Sequence, residues 1–429
     1  MTSTGTISPV TNVVTDLDCE PMNHTSHAQP EALRTQLADK LRDDGTIRTA
    51  RIEQAFRTVP RHLFLPDIPI ADAYADQVVV TKRDDHGAAL VSASQPTVIA
   101  IMLEQLDARP SHRVLEIGAG TGYNAALLYE LVGPHGQVTT IDIDPEAAQQ
   151  ARTRLEAAGY PDVHVRTGDG ALGDATRAPY DRIIVTAGAW DLPPAWWNQL
   201  ADDGRLVVPL RWRGLTRTIA LDHTGDRLVS RSMTMCGFIP MRTGDGECTL
   251  HLHDDVTIHY DEDQPIDPEP LRGVLDQSRS ETWSGITVGG NEPFDGVWLR
   301  LSTTEPGTCR FAAQRSAVDS GLATPAIPGL NPAVVEKYSL AYFAYRRLTS
   351  NGDRYELGAI GHGPEADKLA DRIAEHIYEW DQNRAATARL DVYPAGTPDD
   401  QLPPGYTIDK RHTRLTLVME TTPAVKPGP

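Results

Sequence analysis

Apolar residues recur at helical spacing from the first ordered patterning onward. Leu33, Leu37 and Leu41 fall at i, i+4 and i+8, which predicts an amphipathic helix. Ile52, Phe56 and Val59 predict a second, closed by Pro60 because proline cannot continue a helix interior. From Arg113 the pattern becomes a regular alternation. Short apolar strands are predicted at Arg113 to Ile117, Val138 to Ile141, Val163 to Arg166, Arg182 to Thr186 and Arg205 to Val208. Helices are predicted between them at Tyr123 to Val132 and Pro145 to Ala158, with Pro145 suited to a first turn. Strands alternating with helices at this spacing imply an α/β fold with a doubly wound parallel sheet. Ligands in such sheets bind at the carboxyl ends of the strands.

After about Leu221 the alternation stops. The chain turns Pro- and Asp-rich from Asp261 to Pro270. Strand-like runs follow at Gly296 to Leu301 and Tyr338 to Leu348. A helix is expected from Ala366 to Trp380, with Leu369, Ile373, Ile377 and Trp380 on one face. A last strand is expected at Leu415 to Met419. The expected organisation is a flexible tail at 1–29, a first domain at 30–221 that opens with a helical segment, a C-terminal α+β domain at 222–420, and a tail at 421–429.

Composition narrows the class. The chain has 429 residues, 40% hydrophobic and 23% charged, so a packed core is expected and wholesale disorder is not. No stretch approaches the roughly 20 apolar residues of a membrane helix. The N-terminus shows no basic segment followed by an apolar run, and the four cysteines lie far apart. A cytoplasmic enzyme away from membranes is the expectation. Net charge is -19, which opposes nucleic-acid binding; the one basic cluster is short, at Arg211, Arg213 and Arg217.

The strongest chemical signal is Val-Leu-Glu-Ile-Gly-Ala-Gly-Thr-Gly at 114–122. Gly118, Gly120 and Gly122 occupy a strand-to-helix turn, where missing Cβ atoms let a ligand approach the backbone. A dinucleotide fingerprint spaces its glycines G-x-G-x-x-G, whereas these run G-x-G-x-G. Glu116 precedes them. A carboxylate there disfavours a pyrophosphate and suits the amino group and sulfonium of S-adenosylmethionine. Asp142 ends the next strand, where it can accept hydrogen bonds from ribose hydroxyls. Asp169, between Gly168 and Gly170, can reach an adenine amino group. Three acids thus follow three successive strands.

Over residues 33–221 the chain resembles the protein-L-isoaspartate O-methyltransferases. The resemblance is carried by Val59-Pro60-Arg61, Phe64-Leu65-Pro66, Ala73-Tyr74-Ala75-Asp76, Ser92-Ala93-Ser94-Gln95-Pro96 and Leu115-Glu116-Ile117-Gly118. It continues through 168–173, 178–183, Thr186-Ala187 and 204–209. It implies a Rossmann-like class I S-adenosylmethionine-dependent methyltransferase. It puts Ser94 at the catalytic serine position and Ser92 at a threonine position. Gln95 stands where the family has alanine, and Thr97 where it has histidine. The resemblance further implies cofactor contacts from Ser92, Glu116, Gly118, Gly120, Gly122, Tyr123, Asp142, Ile143, Asp169, Gly170 and Thr186. Substrate contacts are implied from Val91, Gln95, Val208, Pro209 and Arg211. The stretch Val78 to Leu90 departs, being longer and more charged than the family's short loop.

The segments 122–128, 186–191 and 207–217 also resemble an actinobacterial branch found with ribosomally made, modified peptides (lanthipeptides, lasso peptides and graspetides). That resemblance implies methylation of an aspartate in a constrained, macrocyclic precursor peptide, the ester cyclising to an aspartimide or going on to isoaspartate. The alternative is repair of isoaspartyl residues in aged proteins. A catalytically dead binding module is a weaker reading, since Ser94, Glu116, Asp142 and Asp169 are all present, and a small-molecule or nucleic-acid methyltransferase is weaker still, the absence of a basic surface opposing nucleic acid. Trp196, Trp197, Trp212 and the Arg211 to Arg217 cluster are weighed as peptide contacts against ordinary packing. His251, His253 and His259 are read as a solvated strand face rather than a metal site, and the expected chemistry needs no metal.

Overall fold

A computed structural model of the chain describes residues 30–242, 246–348 and 353–420. The two expected tails lie outside these residues. By contact the described chain forms two units, one of 30–210 and 216–242, the other of 211–215 and the residues from 246 on.

The first unit begins with helices α1 (Pro30–Asp43), α2 (Ala50–Thr58) and α3 (Ile70–Ala73). Strands β1 (Val79–Arg83) and β2 (Ala89–Ala93) follow, then α4 (Pro96–Leu106). The alternation is β3 (Arg113–Ile117), α5 (Tyr123–Val132), β4 (Gln137–Asp142), α6 (Pro145–Ala157), β5 (His164–Thr167), β6 (Tyr180–Val185), α7 (Pro194–Gln199) and β7 (Leu200–Trp212). Strands β8 (Leu215–Thr224) and β9 (Arg227–Met235) close the unit. Strand order is β9-β8-β7-β6-β3-β4-β5. β3 pairs in parallel with β4 and β6, and β4–β5 and β6–β7 are parallel too. β8 and β9 are antiparallel. The order reverses beside β3, so the crevice of this sheet opens where β3 and β6 part. Ile117 is in register with Ile141 and with Val185. Gly118, Asp142 and Thr186 therefore leave the sheet at one edge.

The expected helices and strands of this half are present within a few residues. Leu37, Leu41, Ile52, Phe56 and Val59 are all buried, as a core-facing stripe requires. Two features differ from expectation. The charged stretch from Val78 to Leu90 is not a loop but the body of the β1–β2 hairpin, paired from Val79↔Ala93 to Arg83↔Ala89. The division expected after Leu221 falls inside β8, whose hairpin with β9 carries the first unit past the end of the α/β alternation.

The second unit contains β10 (Glu247–His253), β11 (Val256–Asp261), β12 (Arg279–Gly289), α8 (Asp295–Thr304), β13 (Thr308–Ala313) and α9 (Arg315–Asp319). It continues with β14 (Asn331–Glu336), β15 (Ser339–Arg347), β16 (Arg354–His362), α10 (Ala366–Gln382), β17 (Thr387–Pro394), β18 (Tyr406–Asp409) and β19 (Thr413–Glu420). Its seven-stranded sheet runs β10-β11-β13-β14-β15-β16-β12, and β18-β19-β17 are neighbours in that order. The expected face of α10 is buried: Leu369, Ile373, Ile377 and Trp380 join Phe343 and Leu357 in one core cluster. The run Gly296 to Leu301, expected as a strand, is helix α8. Val297 and Leu301 lie at i and i+4 in the same cluster as α10, and this helical pairing wins over the short apolar run.

Candidate active site

Ser94 follows β2 directly and is separated from α4, which starts at Pro96, by the N-cap residue Gln95. Its carbonyl accepts a hydrogen bond from Arg61 Nη2 at 3.0 Å. Arg61 is fully buried, donates from Nε to the Ala73 carbonyl at 2.9 Å, and lies 4.8 Å over the Tyr123 ring. The next residues are pinned by Asp76. It accepts from the Thr97 amide at 2.9 Å and hydroxyl at 2.6 Å, and Lys40 Nζ approaches it at 3.0 Å. Gln95 donates its side-chain amide to the Asp76 carbonyl at 3.1 Å. The backbone around Ser94 is thus fixed from both sides. Its hydroxyl is partly exposed and makes no hydrogen bond among the described residues.

The glycine turn lies beside β2. Gly118 has φ 101° and Gly120 has φ 51°, conformations that disfavour a Cβ. A Cβ on Gly118 would fall 2.6 Å from Thr186 Oγ1, and one on Gly120 would fall 3.4 Å from the Ser92 carbonyl. Thr186 donates its hydroxyl to the Gly118 carbonyl at 2.7 Å, tying the β6 end to the turn. Asp142 accepts the Gly120 amide on Oδ2 at 2.9 Å and the Asp144 amide on Oδ1 at 3.0 Å. A carboxylate has about four acceptor positions, so two remain for the hydroxyls of a ribose. Ile143, next in sequence, leaves 38% of its surface exposed, an apolar wall beside that carboxylate. Asp169 accepts the Ala171 amide at 2.9 Å and caps the short turn that starts at Gly170. Gly170 packs so closely on β3 that a Cβ would meet Ile117 at 2.4 Å.

Three residues expected at the cofactor do other work. Glu116 is fully buried, with its oxygens taken by Thr140 Oγ1 at 2.6 Å and Asn124 Nδ2 at 2.8 Å. Burial pushes its carboxyl up to about 7, against the two hydrogen bonds that favour the charge. Through these two bonds it ties α5 and β4 to the end of β3 beneath the turn. The Tyr123 side chain is buried between Phe56 and Phe64, whose ring centroids lie 6.4 and 5.7 Å from its own, so its ring belongs to the core. Gly122 starts α5 at φ 89°, and a Cβ there would press on Ala151 of α6 at 3.2 Å. Its role is helix packing.

The expected substrate contacts divide. Val91 and Gln95 sit partly exposed on either side of Ser94. Val208 and Pro209 are buried in β7, and the Pro209 carbonyl accepts from the Ala189 amide at 2.8 Å. Those side chains are core, because β7 is covered on both faces. Arg211 groups with the second unit, 3.6 Å from Glu247. Arg213 is buried there too, bound to Asp263 through two bonds of 2.8 Å. Trp212 is fully buried, and so is Trp196, which donates to the Gly170 carbonyl at 2.9 Å. Only Trp197 of these tryptophans keeps appreciable exposure. The aromatic and basic contacts weighed from sequence are mainly structural. His259 is engaged by Thr249 and Thr257, both at 3.0 Å, and among the described residues no cluster of His, Cys, Asp and Glu could hold a metal.

Sequence reasoning quoted Arg61 and Asp76 within motifs but gave them no role. Their signal was a cation and an acid inside otherwise apolar stretches. Asn124 and Thr140 carried no separable signal, because their function is to satisfy a buried carboxylate visible only in three dimensions.

Residues 32–246 match the sequence model of the protein-L-isoaspartate(D-aspartate) O-methyltransferases. The protein-L-isoaspartate O-methyltransferase of Methanopyrus kandleri is 40% identical over 210 residues, covering 48% of this chain and 90% of that relative. The chain belongs to the protein-L-isoaspartate O-methyltransferase family. The Hyperthermus butylicus protein of the same name is 41% identical over 217 residues, covering 48% of this chain and 88% of its own. A solved protein-L-isoaspartate O-methyltransferase aligns over 83% of this chain and 96% of its own, at 22% identity and a TM-score of 0.47. A Plasmodium falciparum member solved with S-adenosyl-L-homocysteine aligns over 49% of this chain and 99% of its own, at 16% identity and a TM-score of 0.44. The protein is an S-adenosylmethionine-dependent methyltransferase of class I fold, with an added β-rich C-terminal region. The open turn at Gly118 and Gly120, the spare acceptors of Asp142 and the exposed Ile143 fit that cofactor.

Proposed function

We propose that the enzyme transfers a methyl group to the side-chain carboxylate of an isoaspartyl residue in a protein or peptide. The observation that carries this reading is the 40% identity with a protein-L-isoaspartate O-methyltransferase across nine-tenths of that relative's length. S-adenosylmethionine, when bound, supplies a methyl group on a cationic sulfur. The substrate carboxylate is ionised at pH 7, so it needs no general base. Its oxygen forms the new bond to carbon as the carbon–sulfur bond breaks. The enzyme's share is positioning. Ser94 donates its open hydroxyl to the carboxylate and aims it. Arg61 and Asp76 hold the backbone on either side, and Asp142 with the glycine turn sets where the methyl donor sits. The following backbone amide nitrogen then attacks the ester and expels methanol to give a succinimide, and water opens that ring in part to aspartate.

A second reading is favoured by one observation. The family match ends at residue 246, and the second unit follows it with its own sheet and helices. A broad repair enzyme has no need of so large an addition, whereas a grip on one constrained, modified peptide does. A macrocycle would also hold a backbone amide near the ester and raise the effective molarity of ring closure. In this reading the substrate is an aspartate of a ring-closed precursor peptide, and the product is an aspartimide or isoaspartate. Among the described residues no helix is long and apolar enough to cross a membrane.

The test offers S-adenosylmethionine with a linear isoaspartyl peptide and reads the mass. A gain of one methyl group, lost in Ser94→Ala, supports the first reading. Methylation confined to a cyclised peptide, followed by loss of methanol, overturns it in favour of the second.

A further inference from the structure

The β1–β2 hairpin is a two-stranded sheet of its own, and such a ribbon is marginal without support. Its base is held by a small apolar cluster, where Val79 and Ala93 pack with Leu65 and Ala73. Beyond that base its residues are partly or fully exposed. The side-chain bonds of Thr81, Arg83 and Asp84 stay within the hairpin. Among the described residues, Lys82 is the side chain whose hydrogen bonds leave it. Its Nζ reaches Asp144 Oδ2 at 2.9 Å and Glu146 Oε2 at 2.8 Å.

The two ends of this reach bracket the cofactor cleft. On β2, the Ser92 carbonyl lies against the glycine turn, 3.4 Å from where a Gly120 Cβ would stand. At the other end, Asp144 is two residues past Asp142 and caps α6 by accepting the Glu146 and Ala147 amides. The hairpin therefore runs alongside both the turn after β3 and the end of β4, which are themselves joined by the Gly120–Asp142 bond. Asp144 also takes Arg242 at 3.3 Å, from the segment whose Met241 amide bonds the Gly188 carbonyl. One aspartate thus draws together two stretches that flank the carboxyl edge of the sheet. Its side chain is only 8% exposed, while Lys82 is 36% exposed. Such a half-buried pair holds more firmly than the median surface pair. Lys82, with Asp144's own cap and Arg242, keeps that carboxyl down at about 2, so it is charged at any working pH.

We propose that Lys82 is a positioning residue that fastens the hairpin as a strap across the cofactor cleft. The strap holds Ser92 against the glycine turn and slows exchange of methyl donor and product. The proposal rests on reading Asp142 and the glycine turn as the cofactor site.

The experiment measures release of S-adenosylhomocysteine from the full-length protein by stopped flow, with affinity by calorimetry. Binding to the wild type and its loss in Asp142→Ala secure the cofactor site first; no binding to the wild type overturns that reading and the strap with it. The strap predicts release about five- to tenfold faster in Lys82→Gln, with Lys82→Arg close to wild type. Asp144→Asn keeps the helix cap, since asparagine caps as well as aspartate, but loses the charge, and it releases faster too. Raising ionic strength speeds release from the wild type and not from Lys82→Gln, because the fastening is an ion pair. Cofactor binding that persists with equal release rates and equal salt dependence in wild type and Lys82→Gln overturns the strap while leaving the cofactor site intact.

Discussion

Ser94 is fixed through its backbone and open at its hydroxyl, which suits a residue that aims a substrate without activating it. A hydrogen bond to a charged partner contributes about 1.5–3 kcal/mol, so Ser94→Ala should slow methyl transfer by roughly ten- to a hundredfold. Affinity for S-adenosylhomocysteine should hold, since the hydroxyl serves the acceptor side. Single-turnover rates and calorimetry on the same preparation separate the two. Glu116 gives a second residue-scale prediction. Its folded carboxyl titrates near 7, while the ordinary value is 4.5. Folding therefore takes up a proton between those pH values, and Glu116 costs stability progressively as pH rises through that window. Below about pH 4.5 the cost is absent, and above pH 7 it is constant. Glu116→Gln keeps the shape and lets the amide donate to Thr140. It should gain on the order of 3 kcal/mol over wild type at pH 8 and nothing near pH 4, by urea denaturation. An equal difference at both pH values would refute the account of that carboxylate.

Helices and strands with a strong period were legible in the sequence because burial and period report the same thing. The α1, α2 and α10 stripes and the β3–α5–β4–α6 alternation are of this kind. Helix α8 was not, because a run of four apolar residues fits a buried strand as well as a buried helix, and only its partner α10 decides. The β1–β2 hairpin is not marked as strand in the sequence for the opposite reason: its strands are charged and mostly exposed, so neither face carries an apolar signal. The glycine turn was legible as a turn, but not the separate duty of each glycine. Gly118 and Gly120 keep the ligand edge clear, whereas Gly122 lets α5 and α6 meet. Gly122→Ala places a side chain at φ 89° against Ala151. It should cost about 1–3 kcal/mol, seen as a lower urea midpoint at unchanged m. A midpoint equal to wild type would remove the packing role.

At the scale of the molecule, the α/β fold and the family were legible because the site is assembled along one sheet edge from consecutive strand ends. Its order in sequence is close to its order in space. The buried support for that edge was not legible: Asn124 and Thr140 satisfy Glu116 from neighbouring elements, and nothing local marks them. Nor was the fate of the basic and aromatic run from Arg211 to Arg217, where Arg213 pairs with Asp261 and Asp263 and Arg211 lies by Glu247. The family match ends at residue 246, so almost all of the second unit lies outside it, and the proposed choice between a linear and a ring-closed peptide turns on that unit. The most direct test is a competition with S-adenosylmethionine limiting and two acceptors in one tube, a linear isoaspartyl peptide and its ring-closed counterpart, read by mass spectrometry. Isoaspartyl carboxyl methylation predicts methyl ester on the linear peptide, abolished or strongly slowed by Ser94→Ala. Absence of any ester on the linear peptide, with the ring-closed one methylated and then losing methanol, would contradict it.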